Sequence, residues 1–221
     1  MRDDVSSDRA QEYATLIDEI ARVMGARLQE AQLPLHILLS SPFGALNENQ
    51  EEMLSAAQAA VDAADMELRR LRKLVELDRG ALAPVVQPIG LAELLRPVLA
   101  IGQARAEQNG VQLRTEISDR APRVMADAML AQDALTTVLG GAIASTARAG
   151  DVLVRAGERE DGSGGIVIEI THGASSDAES LEMRLARRLL SVQRATLTEH
   201  GEYTRIDLPA ERSLRAGTQP P

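Results

Sequence analysis

The stretch QEAQLPLH, Gln29 to His36, holds side chains whose types and spacing could do chemistry. A histidine beside a carboxylate can carry a phosphoryl group, because its ring nitrogen is nucleophilic near neutral pH and the acid can serve as a general base. Here the acid, Glu30, follows an amide, which is not a nucleophile of this kind. His36 lies seven positions after Gln29, on nearly the same helical face, and three apolar residues follow it. The stretch therefore predicts either a phosphoacceptor shifted to His36 or a helix without one.

The composition excludes several other kinds of site. The chain has no cysteine, so disulfides, thiolate metal sites and cysteine nucleophiles are ruled out. We do not expect the three histidines, His36, His172 and His200, to bind a metal together, and we predict no cofactor. The formal net charge of −9 argues against a nucleic-acid partner, because phosphate contacts need a basic face.

The sequence also argues against a membrane partner. No apolar run approaches the roughly 20 residues that a membrane-spanning helix needs. The first residues, MRDDVSSDRAQEY, are polar and lack the apolar region of a signal peptide. We therefore predict a cytoplasmic protein.

The elements that must position Gln29 and His36 are two long helices within residues 1–80. Apolar residues recur every seven positions in both helices, which is the period of packed helical bundles. Ser41-Pro42-Phe43-Gly44 breaks the pattern, and Asn47 with Gln50 predicts the capped start of the second helix. Two such helices cannot bury their broad apolar faces against each other alone, so we predict a homodimer that completes a four-helix bundle. Its predicted core comprises Leu54, Val61, Leu68, Leu71 and Val75.

The remaining chain reads as an α/β sandwich. Pro84 and Pro88 mark a linker at 81–90, and the second domain is predicted at 91–210. Helices are expected near 91–108, 127–146 and 180–194, a strand at 111–117, and two β-hairpins at 152–172 and 195–208. Residues 211–221 are predicted to be disordered. The fold class is therefore α+β.

The order and spacing of these pieces resemble the catalytic core of a sensor histidine kinase. LNENQEEMLSAAQAAVDAADMELRRLRKLVELDRG is similar to the second hairpin helix of that family, and PIGLAELLRPVLAIGQARAEQNGVQLRTEI to the start of its ATP-binding domain. RVMADAMLAQDALTTVLGGAI resembles the strand and helix that carry the nucleotide box. The resemblance covers roughly residues 27–209 and implies a dimerisation and phosphotransfer hairpin joined to a GHKL-type (Bergerat-like) domain.

The resemblance also implies what stands at each chemical position of the hairpin. The family motif H-E-x-x-T/N-P places Gln29 at the histidine, Glu30 at the acid, Leu33 at the Thr or Asn, and Pro34 at the proline. In the family the Thr or Asn is thought to orient water for dephosphorylation, which leucine does not do. Pro34 is expected to bend the helix, because it removes a backbone hydrogen bond.

At the nucleotide site the resemblance implies similar departures. The two asparagines of the family's helix fall at Thr137 and Gly141, and glycine has no side-chain oxygen to bind a hard cation. The D-x-G-x-G turn that reads adenine is replaced by THGAS, with His172 near the acidic position, followed by Gly173. The connection to the next helix is too short for the family's ATP lid. We therefore expect ATP binding and autokinase activity to be absent.

These expectations favour a non-catalytic pseudo-histidine kinase. It would act as a dimeric signalling adaptor that binds a response-regulator receiver domain or a partner kinase through a docking surface at Gln29, Gln32 and His36. Taken by themselves, Gln29, Glu30 and Gln32 favour an ordinary solvated helix face over a docking surface. The alternative function is ATP-independent histidine phosphotransfer through His36 in a phosphorelay.

Overall fold

The computed structural model describes residues 2–40, 44–81, 83–118, 121–159, 165–173 and 180–211. The chain divides into two compact units, residues 1–82 and 83–221. The predicted breaker at 41–43, the predicted tail beyond 211 and the loop at 174–179, where a lid is expected to be missing, lie outside the described residues.

The first unit is an antiparallel pair of long helices, α1 (Arg2–Leu39) and α2 (Glu48–Asp78). The predicted start of α2 is confirmed: the Asn47 side chain accepts a hydrogen bond from the backbone N–H of Gln50 (2.9 Å), and the Gln50 side chain accepts one from the backbone N–H of Asn47 (3.1 Å). This reciprocal capping box satisfies two N–H groups that a helix otherwise leaves without partners.

The hairpin leaves much of its apolar surface uncovered. Leu54, Val61 and Leu68 of the predicted dimer core are already half-buried within one hairpin. The large exposed apolar side chains lie mainly on α1, along a stripe consisting of Leu16, Ile17, Ile20, Val23 and Met24. These residues follow helical spacing and form a face that a single hairpin does not cover.

The second unit contains three helices and a five-stranded sheet, and the predicted α+β order of elements is confirmed. The helices are α3 (Leu91–Asn109), α4 (Ala128–Ser145) and α5 (Leu181–Ser191). The strands of the large sheet are β2 (Gln112–Ile117), β4 (Asp151–Glu158), β5 (Ile166–Thr171), β6 (Thr196–His200) and β7 (Tyr203–Leu208), in the spatial order β2-β4-β5-β7-β6. Only the β2–β4 pair is parallel, and both predicted hairpins pair antiparallel.

The core of this unit lies between the helices and one face of the sheet. Inward side chains alternate along each strand, as Val152 and Val154 do in β4 and Ile168 and Ile170 do in β5, and all four are nearly inaccessible. Gly102 of α3 lets that helix approach α4, since an added Cβ would lie 2.4 Å from the Leu139 side chain.

A strand that the sequence pattern does not predict lies within the predicted linker. β1 (Gln87–Ile89) pairs antiparallel with β3 (Val124–Ala126). On its other side, β3 contacts the residues that follow β7, because the Met125 N–H donates a hydrogen bond to the Pro209 carbonyl (2.7 Å). Three residues of β1 carry no detectable period, so this pairing depends on tertiary contact.

The other face of the large sheet carries charged side chains in a row across the strands. Arg155 binds Glu116 at 2.7 Å, and Arg205 binds Asp207 at 3.1 Å and Glu169 at 3.4 Å. The hydrogen bond that Arg155 donates to the Glu116 carboxylate raises the pKa of Arg155, and the one that Arg205 donates to Asp207 raises the pKa of Arg205. This face is polar and its charges are matched, so it suits contact with water.

Candidate functional site

Gln29 lies on the exposed surface of α1 and lines a groove between the two helices of the hairpin. The groove has a volume of about 320 Å³. Its lining includes Gln29 and residues of α2, so the structure brings the predicted phosphoacceptor position next to the second helix. No imidazole is among the described residues that line this groove.

Glu30, the predicted acid, forms an ion pair with Arg27. Its carboxylate accepts a hydrogen bond from Arg27 at 2.9 Å, one helical turn earlier, and both side chains are exposed. An exposed pair of this kind adds little stability. The pairing leaves Glu30 as a solvated charge on the helix surface.

Of the next predicted positions, Gln32 contacts the second helix and Leu33 is exposed. The Gln32 amide donates a hydrogen bond to Asp62 of α2 (2.9 Å), which ties the predicted docking surface to the second helix. Leu33 is 64% exposed. Pro34 lies inside α1, which continues to Leu39, so the helix persists past the residue that lacks an N–H.

His36 presents an exposed imidazole near the end of α1. The backbone carbonyl of His36 accepts hydrogen bonds from the N–H (3.0 Å) and hydroxyl (2.8 Å) of Ser40. Within the described part of the chain, no carboxylate pairs with its ring. His36 therefore lacks an acid partner of the kind that a phosphoacceptor histidine uses.

In the second unit, the two predicted nucleotide-box positions lie one turn apart on α4. The Thr137 hydroxyl donates to the backbone carbonyl of Asp133 at 2.9 Å. Gly141 contributes no side chain, and an added Cβ there would meet no atom of the described residues within 4 Å.

The loop after β5 holds the other two predicted positions. His172 follows the inward-facing Ile168 and Ile170, and its Nε2 shares a hydrogen bond of 3.2 Å with the Thr204 hydroxyl of β7. Its buried Nδ1 has no hydrogen-bond partner among the described residues. The Gly173 N–H donates to the Thr146 hydroxyl at the end of α4 (3.5 Å), so this loop is tied to the helix.

These four positions do not fit a magnesium-bound nucleotide. Magnesium requires oxygen ligands, and Thr137 supplies only a hydroxyl that is already hydrogen-bonded. Gly141 has no side-chain oxygen, and His172 supplies an imidazole at the position where the resemblance expects a carboxylate. Over the ranges that the structure describes, no three His, Asp or Glu side chains cluster in a way that could hold a metal ion.

The structure adds residues to the hairpin site that sequence reasoning did not select. Arg22, Asp65 and Arg69 line the same groove as Gln29. Arg69 belongs to a run of basic residues at 69–73 that is typical of a solvated helix face, whereas Arg22 stands apart from any such run. Its position opposite α2 becomes visible only when the helices are packed.

Within the described residues, none of the helices combines the length and the apolar character needed to cross a membrane.

Comparison with known proteins identifies the fold. No family model and no curated protein matches the chain. Among solved structures, the histidine kinase AdeS of Acinetobacter baumannii is similar with a TM-score of 0.62 and 12% identity, covering 85% of this chain and 95% of that chain. Full-length ShkA, solved in complex with AMPPNP, is similar with a TM-score of 0.64 and 19% identity, covering 87% of this chain and 45% of the ShkA chain. The chain therefore has a histidine-kinase-like fold, a helical hairpin followed by a GHKL-like domain.

Proposed function

We propose, from this histidine-kinase-like fold, that the chain is a non-catalytic pseudo-histidine kinase. It forms a dimer through its helical hairpin and acts as a signalling adaptor that binds a receiver domain of a response regulator, or a partner kinase. It neither binds ATP nor passes on a phosphoryl group.

The observation that carries the proposal is the amide at position 29. Gln29 occupies the place that the resemblance assigns to the phosphoacceptor, and its groove is lined by no imidazole. A neutral amide has no nucleophilic nitrogen near neutral pH, so the helix presents a docking surface without the chemistry of phosphotransfer.

The second unit supports the same conclusion. Gly141 offers no metal ligand, and the His172 ring is hydrogen-bonded to Thr204 at the position where the family reads adenine. The side chain that binds magnesium and the turn that recognises adenine both serve ATP binding. Loss of both therefore removes the affinity for ATP.

The adaptor surface is the exposed side of α1 around Gln29, Gln32 and His36. Gln32 is held in place by Asp62 at 2.9 Å, while Gln29 and His36 point from nearly the same face of the helix. Polar side chains held on a rigid helix can give a docking surface specificity without covalent chemistry.

The test uses the purified full chain with ATP and magnesium, and with receiver domains encoded near its gene. A ligand that binds only the folded state raises Tm, so we expect no thermal shift with Mg-ATP. We expect no acid-labile phosphate on the chain, and a stable complex with at least one receiver domain or kinase. A Tm increase with Mg-ATP, or the absence of any complex, would contradict the proposal.

The phosphotransfer alternative is decided in the same experiment. Each phosphorylated receiver is mixed with the wild-type chain and with His36→Ala. Acid-labile label that appears on the wild-type chain and disappears in the variant would establish His36 as a phosphoacceptor. We expect neither protein to be labelled, because the described residues place no carboxylate beside the His36 ring.

A further inference from the structure

The groove beside Gln29 is unusually basic for a chain with a net charge of −9. Its volume is about 320 Å³, and it lies between α1 and α2. The lining residues that can bind or admit a ligand are Arg22, Gly25, Gln29, Asp65, Arg69 and Arg72. Three guanidinium groups therefore surround the phosphoacceptor position.

The carboxylates near the groove match only part of this charge. Arg69 binds Asp65 at 2.8 Å, with the Asp65 side chain only 12% exposed. Arg72 lies 3.5 Å from Asp18. Arg22 makes no hydrogen bond or ion pair with any residue that the structure describes. Three arginines against two carboxylates leave one positive charge in excess, and Arg22 carries it.

The groove remains open when the hairpin dimerises through its apolar stripe. Residues two positions apart on a helix point about 160° away from each other, as the 3.6-residue turn requires. Arg22 is two positions from both Ile20 and Met24 of the stripe. Arg22 and the apolar stripe therefore lie on opposite faces of α1.

We infer that this groove is a non-covalent receptor for the phosphoryl group of a phosphorylated receiver domain. This inference rests on the proposed function and adds to it that the adaptor binds its partner in the phosphorylated state. A phosphoryl group carries a charge of about −1.5 to −2 and three acceptor oxygens, which suits several guanidinium donors together. The Gln29 amide can donate a further hydrogen bond, and as it is not a nucleophile the phosphoryl group stays on the partner.

The groove itself is tested with inorganic phosphate and the full chain. Side-chain N–H resonances of the arginines are followed by NMR as phosphate replaces chloride at constant ionic strength. We expect saturable shifts at Arg22, Arg69 and Arg72. Arg27 is the matched control, because it lies on the same helix but outside the groove and pairs with Glu30. An unmoved Arg22 resonance, or equal movement at Arg27, would overturn the inference.

The partner's state is tested with the receiver domain that the adaptor binds, with and without beryllofluoride as a mimic of the phosphoryl group. Hydrogen bonds to charged groups contribute about 1.5–3 kcal/mol, so we expect roughly tenfold or greater tightening with the mimic. Arg22→Gln should abolish that tightening, and Arg27→Gln should retain it. Equal affinity in both states would overturn the inference and leave the adaptor function standing. Failure of every receiver to bind in either state would overturn the inference, and it would overturn the proposed function as well if no partner kinase forms a complex.

Gly25 provides a second pair of variants that leaves the arginines in place. A Cβ at Gly25 would meet nothing within 4 Å, so side chains are accommodated there without a clash. Gly25→Glu places a carboxylate in the groove, and we expect it to remove the preference for the mimic. Gly25→Ala should preserve the preference. Equal behaviour of the two variants, both folded by circular dichroism, would contradict the assignment of the groove.

Discussion

At the scale of single residues, two glycines within helices differ in how closely the described residues pack around them. Gly102 lies where α3 and α4 touch, and an added Cβ would be 2.4 Å from Leu139 and 3.3 Å from Leu113. Gly141 lies one turn past Thr137 on α4, and no atom of the described residues stands within 4 Å of an added Cβ. Close packing explains the first glycine. The second lies at the position where the resemblance expects a magnesium ligand, and the described residues give it no packing reason to be glycine.

This contrast predicts opposite changes in stability. Gly102→Val overfills a close-packed contact and should lower the free energy of unfolding by about 1–3 kcal/mol. Gly141→Ala should raise it by about 0.5–1 kcal/mol, because alanine loses less backbone entropy in a helix. Urea unfolding of the full chain measures both. A destabilising Gly141→Ala would show that other atoms fill the space beside Gly141.

At the scale of elements, Asp127 joins the start of α4 to the segment that enters the second unit. Its Oδ1 accepts from the Leu130 N–H at 3.2 Å as the helix N-cap, and its Oδ2 accepts from the Val85 N–H at 2.9 Å. The Asp127 N–H donates to Gln193 after α5 at 2.7 Å. One carboxylate therefore holds both the helix start and the approach to β1.

The two roles of Asp127 can be separated by substitution. Asp127→Ala removes the cap and should cost about 1 kcal/mol of stability. Asp127→Ser keeps a capping oxygen but is too short to hold Val85, so it should preserve most of the stability. Hydrogen exchange at the Val85 amide should quicken in both variants. Unchanged exchange in both would mean that the Val85 contact does not order this segment.

At the scale of the whole molecule, the proposed dimer depends on the apolar stripe of α1. The residues Leu16, Ile20, Val23 and Met24 are each about half exposed in a single hairpin. Covering them with a second copy removes apolar area from water, the main driving force for association. The half-buried α2 residues Val61 and Leu68 pack within the hairpin, so changes there also disturb its folding.

The stripe predicts a selective loss of dimerisation. Ile20→Asp would bury an unpaired charge at the dimer interface and should give a monomer by sedimentation at micromolar concentration. Ile101→Asp is the matched control, because Ile20 is 47% exposed and Ile101, on α3, is 45% exposed. The control should remain a dimer. A wild-type monomer, or dissociation of both variants, would contradict dimerisation through α1.

Short-range features of this protein follow from the sequence alone. The period of α2, its Asn47–Gln50 capping box and the two β-hairpins arise from residues within one or two turns of each other, or joined by a short loop. Steric fit and backbone hydrogen bonding at that range leave few alternatives. The amide at position 29 is likewise visible in the sequence, because it depends only on residue type.

Only the tertiary structure decided which distant residues meet. The strand β1 exists because it pairs with β3, and Val85 contacts Asp127, 42 residues later. The basic groove forms because Arg22 of α1 faces Arg69 of α2, although neither residue alone predicts it. Such contacts depend on how helices and strands pack, and a pattern of near neighbours along the chain does not determine that packing.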